Sequence, residues 1–232
     1  MEAKGMKYKI FGNSFPAVSI KMDRGESIYT QSGGMSWMTD GIRMDTNTHG
    51  GFMRGLGRMF SGDSLFMATY TAERDNQEIS ISAALPGEVH VIEVGPGKSY
   101  IAQKGAFLCA QQSVQLDAVL TKKFSSGMFG GEGFVLQRLS GRGVAFLELD
   151  GAVCEYTLAP GERLKVDSGN IAYFEEQVGY SVETIKGFKN VLFGGEGLFL
   201  TVLEGPGKVW LQTMTAADLA TKIVPYIPVS NN

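Results

Sequence analysis

The chain has 232 residues, 44% of them apolar, which is enough to bury a substantial core. Its 21 Lys and Arg against 24 Asp and Glu leave a net charge of −3, without the basic surplus of a nucleic-acid binder. Two separated cysteines, Cys109 and Cys154, form neither a CxxC pair nor a metal spacing, and no stretch approaches the ~20 apolar residues of a membrane span.

Residues 1–11 alternate charged and apolar side chains and lack the apolar centre of a signal peptide, so a cytoplasmic location is expected. Beyond them the chain is punctuated by 31 glycines, nearly twice the average usage of about 7%, with only 7 prolines. Glycines between short apolar runs are the habit of strands joined by tight turns. Gly25-Glu26 through Gly33 to Met38 opens the first of three related units. Gly41 to Met59 follows, rich in Gly, Met and Arg, and then Phe60-Ser61-Gly62-Asp63-Ser64-Leu65-Phe66. Glu78 to Ser82 alternates polar and apolar residues, as a half-buried strand does.

Phe129-Gly130-Gly131-Glu132-Gly133 then returns as Phe193-Gly194-Gly195-Glu196-Gly197, a shift of 64 residues. The same shift carries Gly97 onto Gly161, Phe124 onto Phe188, Leu139 onto Leu203, Phe146 onto Trp210 and Leu147 onto Leu211. The chain therefore reads as three diverged copies of a β-rich unit of about 65 residues, a period that marks a repeat architecture. Their expected extents are 1–85, 86–148 and 149–214, forming one β domain. Ala152 to Leu158 alternates with Cys154, Tyr156 and Leu158 on one face, which predicts a half-buried strand with Cys154 in the core. Near-continuous apolar runs at Phe134–Leu139 and Leu198–Leu203 suit strands covered on both faces. Thr215-Ala216-Ala217-Asp218 resembles a capping box, and Leu219, Ala220 and Ile223 share a face. This predicts a helix over 215–224, ended by Pro225, with 225–232 as a tail. A helix so short is expected to dock on the β body or a neighbouring subunit.

Candidate sites are few. A motif repeated within one chain is more often architecture than chemistry, so FGGEG reads first as a turn whose Glu accepts backbone N–H bonds. If the three units close around an axis, Asp63, Glu132 and Glu196 occupy equivalent places, and three carboxylates there would suit a hard cation. Arg43, Phe52, Arg54 and Arg58, among several methionines in residues 41–60, suit a loop touching a partner or an anionic membrane surface. Gly62-Asp63-Ser64-Leu65 spells the signature of a serine hydrolase family, but the repeat turns that Ser into Gly133 and Gly197. Both histidines, His49 and His90, precede residue 100, and two distant imidazoles do not make a metal cluster.

Phe124 to Gly143, Phe188 to Gly207, Phe60 to Phe66 and Leu219 to Pro228 resemble the altered-inheritance-of-mitochondria-24-like family. The resemblance implies a double-stranded β-helix fold like that of the trp RNA-binding attenuation protein. It links mitochondrial members to inner-membrane organisation, and it supplies no catalytic residues. Together these readings give an all-β fold with a short C-terminal helix and an expected role as a non-enzymatic, homo-oligomeric scaffold or binding module. No cofactor, metal or catalytic residue is assigned. An RNA-binding ring and a membrane-surface protein using residues 41–60 are the alternatives, although the acidic balance speaks against nucleic acid.

Overall fold

The computed structural model describes residues 2–3, 5–31, 33–46, 67–119, 135–184 and 199–228. An N-terminal hairpin, β1 (Glu2–Ala3) and β2 (Met6–Phe11), precedes three runs of six strands. The first run is β3 (Ala17–Met22), β4 (Ser27–Gln31), β5 (Met35–Met38), β6 (Ile42–Asp45), β7 (Met67–Ala72) and β8 (Gln77–Ser82). The second is β9 (Gly87–Val94), β10 (Tyr100–Gln103), β11 (Phe107–Gln111), β12 (Val114–Val119), β13 (Leu136–Gly141) and β14 (Gly143–Asp150). The third is β15 (Val153–Leu158), β16 (Arg163–Asp167), β17 (Ile171–Glu175), β18 (Gly179–Thr184), β19 (Phe199–Glu204) and β20 (Gly207–Gln212).

Every run pairs its strands the same way, always antiparallel. The sixth strand lies between the first and the third, as β8 lies between β3 and β5. The fifth lies between the fourth and the second, as β7 lies between β6 and β4. Each repeat is thus two three-stranded half-sheets. Even an irregularity recurs: the ladder of third and sixth strands slips between Met35 and Trp37, between Phe107 and Cys109, and between Ile171 and Tyr173.

Repeats are joined by one rule, in which the second strand of a repeat pairs with the third strand of the next. β4 pairs with β11, and β10 pairs with β17. The half-sheets thereby fuse into four layers, in the orders β1-β2-β3-β8-β5, β6-β7-β4-β11-β14-β9, β12-β13-β10-β17-β20-β15 and β16-β19-β18. Because successive strand residues point to opposite faces, each middle layer feeds two cores. On β4, Ile28 packs between layers one and two, and its neighbour Tyr29 packs between layers two and three. On β14, Val144 and Phe146 face the first core while Ala145, Leu147 and Leu149 face the second. On layer three, Tyr100 and Ala102 belong to the second core and Ile101 to the third. The continuous apolar run of β14 follows from this, since both its faces are covered.

One expectation is corrected. The strand at 152–158 is present as β15, but it is the outermost strand of layer three, and Cys154 is exposed rather than in the core. Alternation correctly separates its two faces, yet the facing layer stops short of Cys154 and Tyr156. The helix α1 (Ala216–Ile223) forms with Thr215 as its cap, whose Oγ1 accepts from Asp218 N at 3.0 Å. A 3-10 turn, Val224–Tyr226, holds Pro225 and ends it. None of the helix residues is fully buried: Leu219 is half-buried, while Ile223, Val224, Tyr226 and Ile227 stand exposed, as a face kept for a neighbouring subunit would be.

Candidate functional site

Of the residues proposed for a partner or membrane contact, Arg43 is described. It sits on the outermost strand β6, exposed, its guanidinium 3.1 Å from the Asp45 carboxylate and Met44 exposed beside it. Phe52, Arg54, Arg58, His49 and the acids Asp63, Glu132 and Glu196 lie outside the described residues, as do both FGGEG elements. Among the described residues no three His, Cys, Asp or Glu side chains gather in a way that could hold a metal ion.

Among the described residues, chemistry-bearing groups gather in the second core, where β9 of the second repeat meets β17 and β20 of the third. Tyr173 stacks on Trp210 with ring centroids 4.3 Å apart and planes 8° from parallel. Tyr100 packs against both rings at steep angles, 6.0 and 6.2 Å away. The Tyr173 hydroxyl lies 3.0 Å from His90 Nδ1, and His90 Nε2 lies 3.4 Å from Glu88 Oε2. Glu88 uses its other oxygen to accept from Val153 N at 3.0 Å, tying the two repeats together. At the rim, Lys208 Nζ meets Glu155 Oε1 at 2.5 Å, and this bond holds the Glu155 carboxyl below its ordinary range.

The electrostatics are those of packing. Burial, reinforced by Tyr100 and Glu155, pushes the Tyr173 phenol well above its ordinary value, so it stays a neutral hydrogen-bonding group. Both imidazole nitrogens of His90 face a partner. Burial also pushes the Cys109 thiol up, and a buried neutral thiol is neither a nucleophile nor a ligand. One group is poised near neutrality. Glu148 on β14 is pushed up to about 7, chiefly by burial; the bond it accepts from Ala84 N at 2.7 Å works the other way, and neighbouring Asp150 adds to the rise. Among the described residues, no hydroxyl or thiol is a hydrogen-bond partner of Glu148.

This cluster was not picked out in the sequence, although a signal was there. The shift of 64 carries Phe146 onto Trp210, and the ladders place Phe146 opposite Cys109 and Trp210 opposite Tyr173. Aromatic residues at one repeated position mark a shared wall between repeats.

A shallow cleft of about 250 Å³ opens between layers one and two, lined by Met6, Lys21, Glu26, Ser27 and Gln111 among others. It brings one cation and one carboxylate to a half-open rim and holds no convergent set of donors.

The family model described as mitochondrial biogenesis AIM24 matches residues 8–214. The chain belongs to the AIM24 family. It is 27% identical over 226 residues to an uncharacterized protein of Streptococcus pyogenes serotype M6, covering 94% of this chain and 89% of that one. Its fold is similar to the crystal structure of a Streptococcus pyogenes protein, with a TM-score of 0.76, 25% identity, and coverage of 96% of this chain and 100% of that one. AIM24 family membership therefore accompanies an all-β architecture of antiparallel sheets with one short C-terminal helix. No described helix is long and apolar enough to cross a membrane.

Proposed function

We propose that this AIM24 family member is a non-enzymatic β scaffold that acts through its surfaces as a homo-oligomer. One observation carries the reading: among the described residues, His90, Tyr173 and Glu88 are committed to holding repeats together. His90 and Tyr173 bond each other, Glu88 holds Val153, and Cys109 is buried. Repeat proteins commonly work this way, with packed units supporting an extended binding surface. Light scattering with native mass spectrometry on the purified chain tests it, and a stable assembly is expected. A turnover activity that collapses on Glu132→Gln or Glu196→Gln would overturn it.

A second reading is contact with a membrane surface. It is favoured by the exposed apolar arm Ile223, Val224, Tyr226 and Ile227 and by Arg43 beside exposed Met44. Aromatic and aliphatic side chains next to cations suit the headgroup boundary. Flotation with anionic liposomes tests this reading. Binding that survives removal of residues 216–232 and the change Arg43→Ser would rule out these contacts.

A further inference from the structure

Among the described residues the joining rule leaves two strand edges unpaired. β5, the third strand of the first repeat, pairs with β8 alone, and β16, the second strand of the third repeat, pairs with β19 alone. Both lie at the ends of their sheets, β5 in layer one and β16 in layer four, with layers two and three between them. We propose that copies of this chain associate head to tail, β16 of one copy pairing with β5 of the next as β4 pairs with β11 and β10 with β17. The proposal rests on the oligomeric reading above and assigns its contact.

The two joins inside the chain fix the register independently, and they agree. Cys109 faces Thr30 and Tyr173 faces Ala102; both translate to Trp37 facing Val166. Ala110 faces Tyr29 and Phe174 faces Ile101; both translate to Met38 facing Lys165. Gln111 facing Ile28 and Glu175 facing Tyr100 both give Thr39 facing Leu164.

Exposed apolar surface sits where this contact would bury it. Trp37 is 53% exposed, whereas its counterparts Cys109 and Tyr173 are 0% and 3% exposed. Tyr156, on the uncovered face of β15, is 43% exposed, and its counterpart Ile92 is buried. In the second core the neighbours of Ile92 on that strand are covered by Tyr173, the residue equivalent to Trp37. Trp37 of one copy and Tyr156 of the preceding copy therefore stand on the two surfaces that would meet. β5 also carries no charge and no proline, the usual guards of an edge strand.

One residue sets a limit on strength. Lys165 occupies the place of Tyr29 and Ile101, and Glu183 holds its ammonium at 2.6 Å. A lysine on an edge strand disfavours pairing, so the contact is concentration-dependent rather than permanent. Such a heterologous contact builds a ring if its rotation closes and a filament if it does not.

The test uses the full chain carrying Cys154→Ser, which leaves Cys109 buried. Adding Met38→Cys with Lys165→Cys places two thiols at facing positions, within disulfide reach in a paired ladder. Mild oxidation is expected to yield a series of covalent multimers, with no series beyond a linked pair from either single cysteine. In sedimentation, Trp37→Asp and Tyr156→Asp each weaken assembly at least tenfold, and Lys165→Ile tightens it by a similar factor. Both aspartates replace exposed side chains, so the fold survives them. An assembly that persists without cross-linking and ignores all three changes overturns this contact while leaving the oligomeric reading intact. A chain that stays monomeric throughout the concentration range, the Lys165→Ile variant included, overturns both.

Discussion

The two middle layers and the two end layers are built from the same half-sheets, yet equivalent positions in them carry different residues. Opposite Cys109 and Tyr173 stand Phe146 and Trp210, each packed into a core. Opposite Trp37, on the outward face of layer one, the same place holds Ser80. The other outward positions of layer one include Lys7, Lys9, Ser19, Lys21 and Glu78, and Ser19 donates to Glu78 at 2.5 Å. Layer four is finished with ion pairs: Glu183 meets Arg163 at 2.7 Å and Lys165 at 2.6 Å. Polar substitutions at a few repeated positions suit ends exposed in the free chain, and like Lys165 they limit the strength of the head-to-tail contact rather than forbid it.

The largest effect that would break this contrast is Phe146→Ala. A fully buried ring shared between layers one and two is expected to cost about 3–5 kcal/mol, read as a lower urea midpoint. The equivalent change on the capped end, Ser80→Ala, is expected to be neutral or slightly stabilising. The Ser80 hydroxyl is buried without a hydrogen-bond partner, so its loss leaves no other group unpaired.

Next in size is a pH effect in layer two. Glu148 has its folded value raised above the ordinary 4.5 to about 7, so the folded state holds its proton more tightly than the unfolded chain does. The stability this contributes is fully present below about 4.5 and is lost as pH rises through about 7. The loss amounts to about 3 kcal/mol at most. Glu148→Gln installs the residue that Gln212 supplies at the same position of the third repeat. Its unfolding free energy is expected to exceed the parent's at pH 8 and to converge with it near pH 4.

A smaller effect probes the join itself. Thr30 Oγ1 donates across it to the Leu108 carbonyl at 2.6 Å in a buried bond. Thr30→Val, the residue found at the open counterpart Val166, is expected to cost about 1 kcal/mol by the same urea titration. The smallest effect belongs to the arm. Thr215→Ala removes the helix cap and is expected to lower helical circular dichroism and amide protection of Ala216–Ile223. The main unfolding midpoint is expected to stay where it was, because no residue of α1 is fully buried.

The repeat was legible because strands and turns are local. Gly25, Gly97 and Gly161 all adopt positive φ at matching turns, a demand that glycine answers and that therefore survives divergence. The apolar run Phe134–Leu139 correctly announced a strand covered on both faces, since Leu139 and Leu136 of β13 belong to different cores. What stayed hidden is how repeats share sheets. Nothing in the alternation of Val153 to Leu158 tells whether another layer lies above Cys154, since coverage is set by a strand far away in the chain. The same blindness hid the His90–Tyr173–Trp210 seam, whose partners are 83 residues apart at their hydrogen bond. The acids Asp63, Glu132 and Glu196 lie outside the described residues, so their convergence is a matter for metal titration rather than geometry.

The splitting of each repeat over two layers also bears on how the chain comes apart. A cut at the turn beside Gly151 divides the second repeat from the third along the chain, but not along any sheet. The amino-terminal piece would keep β12, β13 and β10, and the carboxy-terminal piece would keep β17, β20 and β15, the two halves of one six-stranded layer. Each fragment would expose the backbone edge that the other completes, together with half of the Tyr173–Trp210–Tyr100 wall. Such pieces are complementary by construction: made separately, they hold the template for each other's missing strands.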